Sequence, residues 1–145
     1  MARAMFVDAS AWIAIGDRSD RHHAAAATFY QQLLRERRTL VTTNLVVAEA
    51  YVMIRRYSGH PAAIGFLDSL RQSSHLTKIY SDAALEAEAE KTLRRYADQD
   101  FSLADAVSFL VMQPSKEDVP QRGITEAFAF DGHFATAGFA VAPAV

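Results

Sequence analysis

The sequence contains no cysteine, which excludes a disulfide framework, a thiolate metal site and a thiol nucleophile. This absence also fits a reducing compartment. No stretch reaches the roughly 18 consecutive apolar residues of a membrane-spanning helix, and the apolar N-terminal segment "MARAMFVDASAWIAI" is interrupted by Asp8. We therefore expect a soluble, cytoplasmic protein that does not associate with a membrane.

A strong excess of one charge is also lacking, because the formal net charge is −2. This value argues against a domain that binds nucleic acid by bulk attraction alone. Arginine nevertheless supplies twelve of the fifteen basic residues, and arginine matches phosphate with two parallel hydrogen bonds. The arginines that cluster are either solvated helix faces or a local phosphate-binding surface: Arg35, Arg37 and Arg38; Arg55 and Arg56; Arg94 and Arg95.

No repeat, low-complexity tract or Pro/Gly-rich linker divides the chain, which has 145 residues, half of them apolar. We expect one domain over 1–145. Short apolar runs predict strands at 4–8, 39–42, 76–80, 125–130 and 139–142, and the segment 113–123 is a polar loop. Helical patterns alternate with the strands, at 9–16, 21–37, 44–57, 61–71, 82–97 and 103–112. This alternation predicts an α/β fold with a mainly parallel sheet covered by helices on both faces.

Two carboxylates directly follow predicted strands. Asp8 ends "MFVD" and Asp131 ends "AFAFD". Each is at a position where Asp commonly caps the next helix or turn. The carboxyl ends of parallel strands share one edge of a sheet, where ligands collect. We therefore expect both side chains at the same rim.

Two further carboxylates lie within predicted helices. Glu49 has Val46 and Val52 three residues to either side, so we expect it on the apolar stripe of its helix, unless it extends out to solvent. Asp105 forms an S-x-x-D capping box with Ser102. Its neighbours Phe101 and Phe109 also direct it towards packed surface.

Four polar residues near these acids are candidates for lesser roles. Ser10 could orient a carboxylate, and Asn44 is expected to be the N-cap of the helix that carries Glu49, or to reach into a site there. Asp100 adds negative charge ahead of Asp105, or is a solvated loop acid. His133 is the only histidine close to the acids, and we interpret it as a turn residue. The other histidines follow no metal-ligand spacing: His22, His23, His60 and His75.

If the side chains of the four acids lie close together, they indicate a cation site. Two carboxylates ~4 Å apart repel by roughly 4 kcal/mol at an effective dielectric constant of about 20. A cluster of four therefore needs a cation, and an all-oxygen ligand set favours Mg²⁺ or Mn²⁺ over Zn²⁺. Such sites suit phosphodiester hydrolysis.

The segments "FVDASAWIAI", "TTNLVVAEAYVMIRR", "DFSLADAVSFLVM" and "AFAFDGHFATAGF" resemble, in order and spacing, the four motif blocks of the PIN domain. The resemblance is closest to the VapC-type toxin ribonucleases of toxin–antitoxin pairs. It implies a three-layer α/β/α sandwich and a Mg²⁺- or Mn²⁺-dependent endoribonuclease. The implied site comprises Asp8, Glu49, Asp105 and Asp131, with Ser10, Asn44 and Asp100 in support.

The same resemblance implies an RNA substrate, a homodimer and inhibition by a cognate VapB-like antitoxin. Asp8 and Asp105 are the expected direct metal ligands. The alternative is a catalytically inactive PIN-like domain that binds RNA or protein. A phosphatase of the haloacid-dehalogenase type would need a second Asp where Ser10 stands.

Overall fold

The structure is a computed structural model that describes residues 3–114 and 123–144. Within these residues, five parallel strands form one sheet in the order β3-β2-β1-β4-β5. The strands are β1 (Met5–Val7), β2 (Leu40–Thr43), β3 (Leu76–Ile79), β4 (Glu126–Phe128) and β5 (Ala140–Ala142). The helices are α1 (Ala9–Gly16), α2 (His23–Arg35), α3 (Asn44–Ser58), α4 (His60–Gln72), α5 (Ala83–Arg95), α6 (Leu103–Met112) and α7 (His133–Thr136).

The predicted α/β/α sandwich is confirmed, and every predicted strand and helix is present with ends shifted by a few residues. Most of the predicted loop at 113–123 lies outside the described residues.

Strand order places the crossover connections on two sides of the sheet. The chain moves outward from β1 to β2 and β3, then returns to β4 on the other side of β1. Because such crossovers are right-handed, α1 to α4 cover one face and α5 and α6 cover the other. The helix contacts agree, since α1 packs on α2 and α3, whereas α5 packs on α6. The order reverses at β1 and β4, so the crevice at their carboxyl ends is where a ligand is expected.

The core is centred on β1 and α1. Met5, Phe6 and Val7 are all buried, as expected for the central strand of a covered sheet. Trp12 of α1 is buried, and its indole Nε1 donates to Thr42 Oγ1 at 3.2 Å. Thr42 in turn donates to the Val7 carbonyl at 2.9 Å, so this chain of hydrogen bonds fixes α1 against β2 and β1.

In the part of the chain that the structure describes, no helix is both long enough and apolar enough to cross a membrane.

Candidate active site

Asp8 lies at the carboxyl end of β1 and begins α1. Its Oδ2 accepts hydrogen bonds from the backbone N–H of Ser10 at 3.2 Å and from the Ser10 hydroxyl at 2.7 Å. The Ser10 hydroxyl also accepts the backbone N–H of Phe130 at 3.0 Å. Asp8 is therefore the N-cap of α1, which is the common role of Asp at such a position. Its carboxylate is also held towards the segment that follows β4.

Asp105 lies in the first turn of α6, where it completes the predicted capping box. Its Oδ2 accepts the backbone N–H of Ser102 at 3.0 Å, and the Ser102 hydroxyl accepts the Asp105 N–H at 3.0 Å. Only 6% of Asp105 is exposed. The box therefore fixes a buried carboxylate without using its second oxygen.

Asp131 and His133 follow β4 and approach Asp105. Asp131 Oδ1 accepts the backbone N–H of His133 at 3.1 Å, and His133 Nδ1 lies 2.7 Å from Asp105 Oδ2. One ligand atom from each of these three residues lies within 4.8 Å of the others. The prediction that His133 is only a turn residue is therefore wrong. Its position two residues after a strand-end acid was the available signal.

Glu49 reaches the same cleft from α3, but the prediction that it shares the buried stripe is wrong. Its side chain is exposed, and Val52 one turn later is 51% exposed. The buried residues of α3 are Val46, Val47, Ala50 and Ile54. The helix is thus rotated so that Glu49 lies at the edge of the stripe, where its carboxylate faces the cleft.

The three supporting residues have different positions. Ser10 lines the cleft beside Asp8, as expected. The prediction that Asn44 is an N-cap is wrong, because Thr43 caps α3 through its hydroxyl. Asn44 Oδ1 instead accepts the Ser81 N–H at 2.8 Å, so it ties α3 to the segment after β3. Asp100 is exposed and does not line the cleft.

A cleft of about 260 Å³ brings the four predicted acids together. Its polar lining consists of Asp8, Ser10, Glu49, Ser102, Asp105, Asp131 and His133. Asp8 and Glu49 belong to this cleft but not to the tighter group of Asp105, Asp131 and His133.

The carboxylates perturb one another. Burial, and then the negative charge of Asp131, raise the pKa of Asp8 to about 7, against the opposing hydrogen bonds from Ser10. Partial burial of its carboxylate, and then Asp105 and Asp131, raise the pKa of Glu49. Burial opposes the charged form of His133, but Asp105 and Asp131 outweigh it and raise the pKa of His133. The cleft therefore favours bound positive charge.

Three acids each keep one oxygen without a hydrogen bond from any described residue: Oδ1 of Asp8, Oδ1 of Asp105 and Oδ2 of Asp131. Among the described residues no buried side-chain oxygen lacks a partner, so these three oxygens are accessible from the cleft. Three accessible carboxylate oxygens, mutual repulsion and one imidazole form a donor set that fits a divalent cation.

The PIN domain family model matches residues 5–139. The chain is 33% identical over 135 residues to the 23S rRNA-specific endonuclease VapC20 of Mycobacterium tuberculosis, both in strain CDC 1551 / Oshkosh and in strain ATCC 25618 / H37Rv. The match covers 93% of this chain and 95% of that protein. The crystal structure of M. tuberculosis VapC20, described as a sarcin–ricin loop cleaving toxin, matches with a TM-score of 0.77 and 34% identity, over 93% of this chain and 95% of that one.

The chain therefore belongs to the PIN domain family. The relatives reported above are VapC-type toxin endonucleases. The resemblance seen in the four sequence blocks is therefore confirmed by the sequence comparisons and by the structural comparison.

Proposed function

We propose that this chain is a metal-dependent endoribonuclease and the toxin of a toxin–antitoxin pair. The observation that carries this proposal is the cleft itself: Asp8, Asp105 and Asp131 line it together near the strand-order reversal, in a family whose VapC members cut RNA.

Mg²⁺ or Mn²⁺ is the proposed cofactor, held by Asp8, Asp105 and Asp131, with Glu49 completing the set directly or through water. Hard cations prefer such oxygens, and the imidazole of His133 already contacts Asp105 through Nδ1. When bound, the metal lowers the pKa of water and stabilises charge on the phosphate oxygens.

The chain's own residues position these groups. Ser10 holds Asp8 through its hydroxyl and its N–H, while Ser102 and His133 hold Oδ2 of Asp105 and leave Oδ1 free. Glu49, exposed at the mouth of the cleft, has a raised pKa that suits it to accept a proton from the attacking water. Hydrolysis in this manner leaves a 5′-phosphate and a 3′-hydroxyl.

The proposed substrate is a looped RNA. Because the VapC20 relatives act on 23S rRNA and the solved one on its sarcin–ricin loop, a stem-loop RNA of that sequence is the first substrate to test. Arg55 and Arg56 are exposed in the last turn of the helix that carries Glu49, where they can contact phosphates. We also propose that the chain forms a homodimer and that a VapB-like antitoxin inhibits it.

The test is cleavage of the stem-loop RNA by purified protein with Mg²⁺ or Mn²⁺, and again in EDTA. Asp105→Asn should abolish cleavage, whereas Asp68→Asn, which alters an exposed acid on α4, should not. Sequencing of the 5′ ends identifies the cut. Full activity in EDTA would contradict the proposal.

Calorimetric titration with Mn²⁺ separates the enzyme from an inactive PIN-like binding domain. The enzyme should bind the ion and lose that binding in Asp105→Asn. No heat of binding, together with no cleavage, would favour the binding domain. Light scattering of the purified chain tests the dimer.

A further inference from the structure

A second and larger cavity adjoins the acidic cleft. It has a volume of about 570 Å³, within the ~300–1,000 Å³ typical of small-molecule sites. Ser10, Ile13 and Asp131 border both spaces, so one nucleic-acid strand can enter both. The cavity is bounded by α1, by the segment between α1 and α2, by the last turns of α3 and by Phe130 and Asp131 in the segment after β4.

Aromatic rings form part of the cavity wall. His22 and Phe130 are stacked with ring centroids 4.5 Å apart and an interplanar angle of 9°. Tyr57, on α3, also lines the cavity and is 59% exposed. Exposed aromatic faces beside a phosphodiester site are the surfaces on which unstacked RNA bases pack.

A buried carboxylate also lines this cavity. Asp17 is only 5% exposed, and its Oδ1 accepts the Ser19 N–H, the Ser19 hydroxyl and the Ser58 hydroxyl at 3.0, 2.6 and 2.9 Å. These hydrogen bonds, led by the one from the Ser19 hydroxyl, lower the pKa of Asp17, so the group is ionised. No described residue donates to its Oδ2, and no described buried oxygen lacks a partner, so Oδ2 is accessible from the cavity.

The charges of the wall decide the kind of ligand. Among the described residues that line the cavity, Asp17, Asp20 and Asp131 face a single arginine, Arg21, which disfavours a phosphate group. A neutral ring with N–H donors fits both the aromatic wall and the free oxygen of Asp17. We propose that this cavity binds the base of a nucleotide next to the cut, and that Asp17 selects a base that carries an amino group. This inference rests on the proposed function.

The first test is the choice of base. The nucleotides on either side of the mapped cut are changed in turn to cytidine and to uridine, which present an amino group and a carbonyl at the same ring position. At one of the two positions wild-type kcat/KM should favour cytidine about tenfold or more, because hydrogen bonds to charged groups contribute about 1.5–3 kcal/mol.

Asp17→Asn sharpens this test. Because the serines hold Oδ1, the new amide nitrogen takes the place of Oδ2 and presents a donor to the cavity. The variant should therefore prefer uridine at that position. An unchanged order of the two bases in the variant, or no preference in the wild type, would overturn the assignment of Asp17.

The second test concerns the aromatic wall. Tyr57→Ala should lower kcat/KM about five- to hundredfold, the usual range for loss of one base–aromatic stack. An abasic nucleotide at the selected position should lower it comparably, and the two changes together should cost little more than either alone. Tyr80→Ala, an exposed tyrosine after β3, is the matched control and should behave as wild type. Additive effects of Tyr57→Ala and the abasic change would exclude base binding here.

Dissociation constants measured in EDTA repeat these comparisons without cleavage. If the RNA is not cut but the pattern of affinities holds, the proposed function fails and the base site stands. If the RNA is cut but neither the preference for cytidine nor the coupling between Tyr57→Ala and the abasic nucleotide is found, only the base site fails.

Discussion

Asp8→Asn should stabilise the metal-free protein at pH 8. Burial and Asp131 raise the pKa of Asp8 from 3.8 to about 7, a shift of roughly three units, each equivalent to about 1.4 kcal/mol. The ionised carboxylate therefore reduces the free energy of unfolding by up to about 4 kcal/mol. Asparagine removes the charge and keeps an oxygen that can accept the two hydrogen bonds from Ser10.

The effect should depend on pH in a defined direction. Well below pH 3.8 Asp8 is protonated in both folded and unfolded chains, so it carries no charge that lowers the free energy of unfolding. As pH rises from 3.8 to about 7 the unfolded chain loses this proton first, and the wild type loses stability relative to the variant. Above pH 7 the full difference is present.

The assay is thermal and urea unfolding of both proteins in EDTA between pH 4.5 and 8.5. At pH 8 the variant should melt roughly 10 °C higher, since 1 kcal/mol is equivalent to about 2–4 °C at this size. The gap should narrow towards pH 4.5. Asp68→Asn should show no such dependence on pH. A variant that is less stable than wild type at pH 8, or a gap independent of pH, would refute the reasoning.

Three further results are expected. Mn²⁺ at about a hundred times its dissociation constant should stabilise the wild type by about 2.7 kcal/mol, and this gain should vanish in Asp105→Asn when unfolding is followed by circular dichroism. Ser10→Ala leaves the Phe130 N–H without its acceptor and frees Asp8, so it should cost about 1–3 kcal/mol in urea unfolding and slow cleavage as well. His133→Ala removes the 2.7 Å contact to Asp105 and should lower kcat at least tenfold with little change in KM, whereas Tyr80→Ala should change neither.

The fold was predictable because its signals are local. The apolar runs before Asp8 and Asp131 are short and rich in β-branched or aromatic residues, which indicates strands, and parallel pairing then places both acids at one rim. The capping box of Ser102 and Asp105 was equally readable, because its geometry is set within one turn.

The remaining features depend on how elements pack. Glu49 differs from the prediction because the rotation of α3 is set by contacts with α1 and α4, which helical periodicity alone does not contain. Thr43 rather than Asn44 caps α3: both residue types are good caps, but the backbone of Thr43 is still extended, whereas Asn44 is already the first helical residue. The surroundings of Asp17 include the Ser58 hydroxyl, which donates to its Oδ1 from 41 residues away.

The pairing of β1 with β4 links the beginning of the chain to its end. Ser10 meets Phe130 across 120 residues, and Asp8 has its full surroundings only after Asp131 and His133 have been added. Without the segment from β4 onwards, β1 would be an edge strand of the sheet, and the cleft would lack Asp131 and His133. The cleft is therefore complete only when segments from both ends of the described fold are in place.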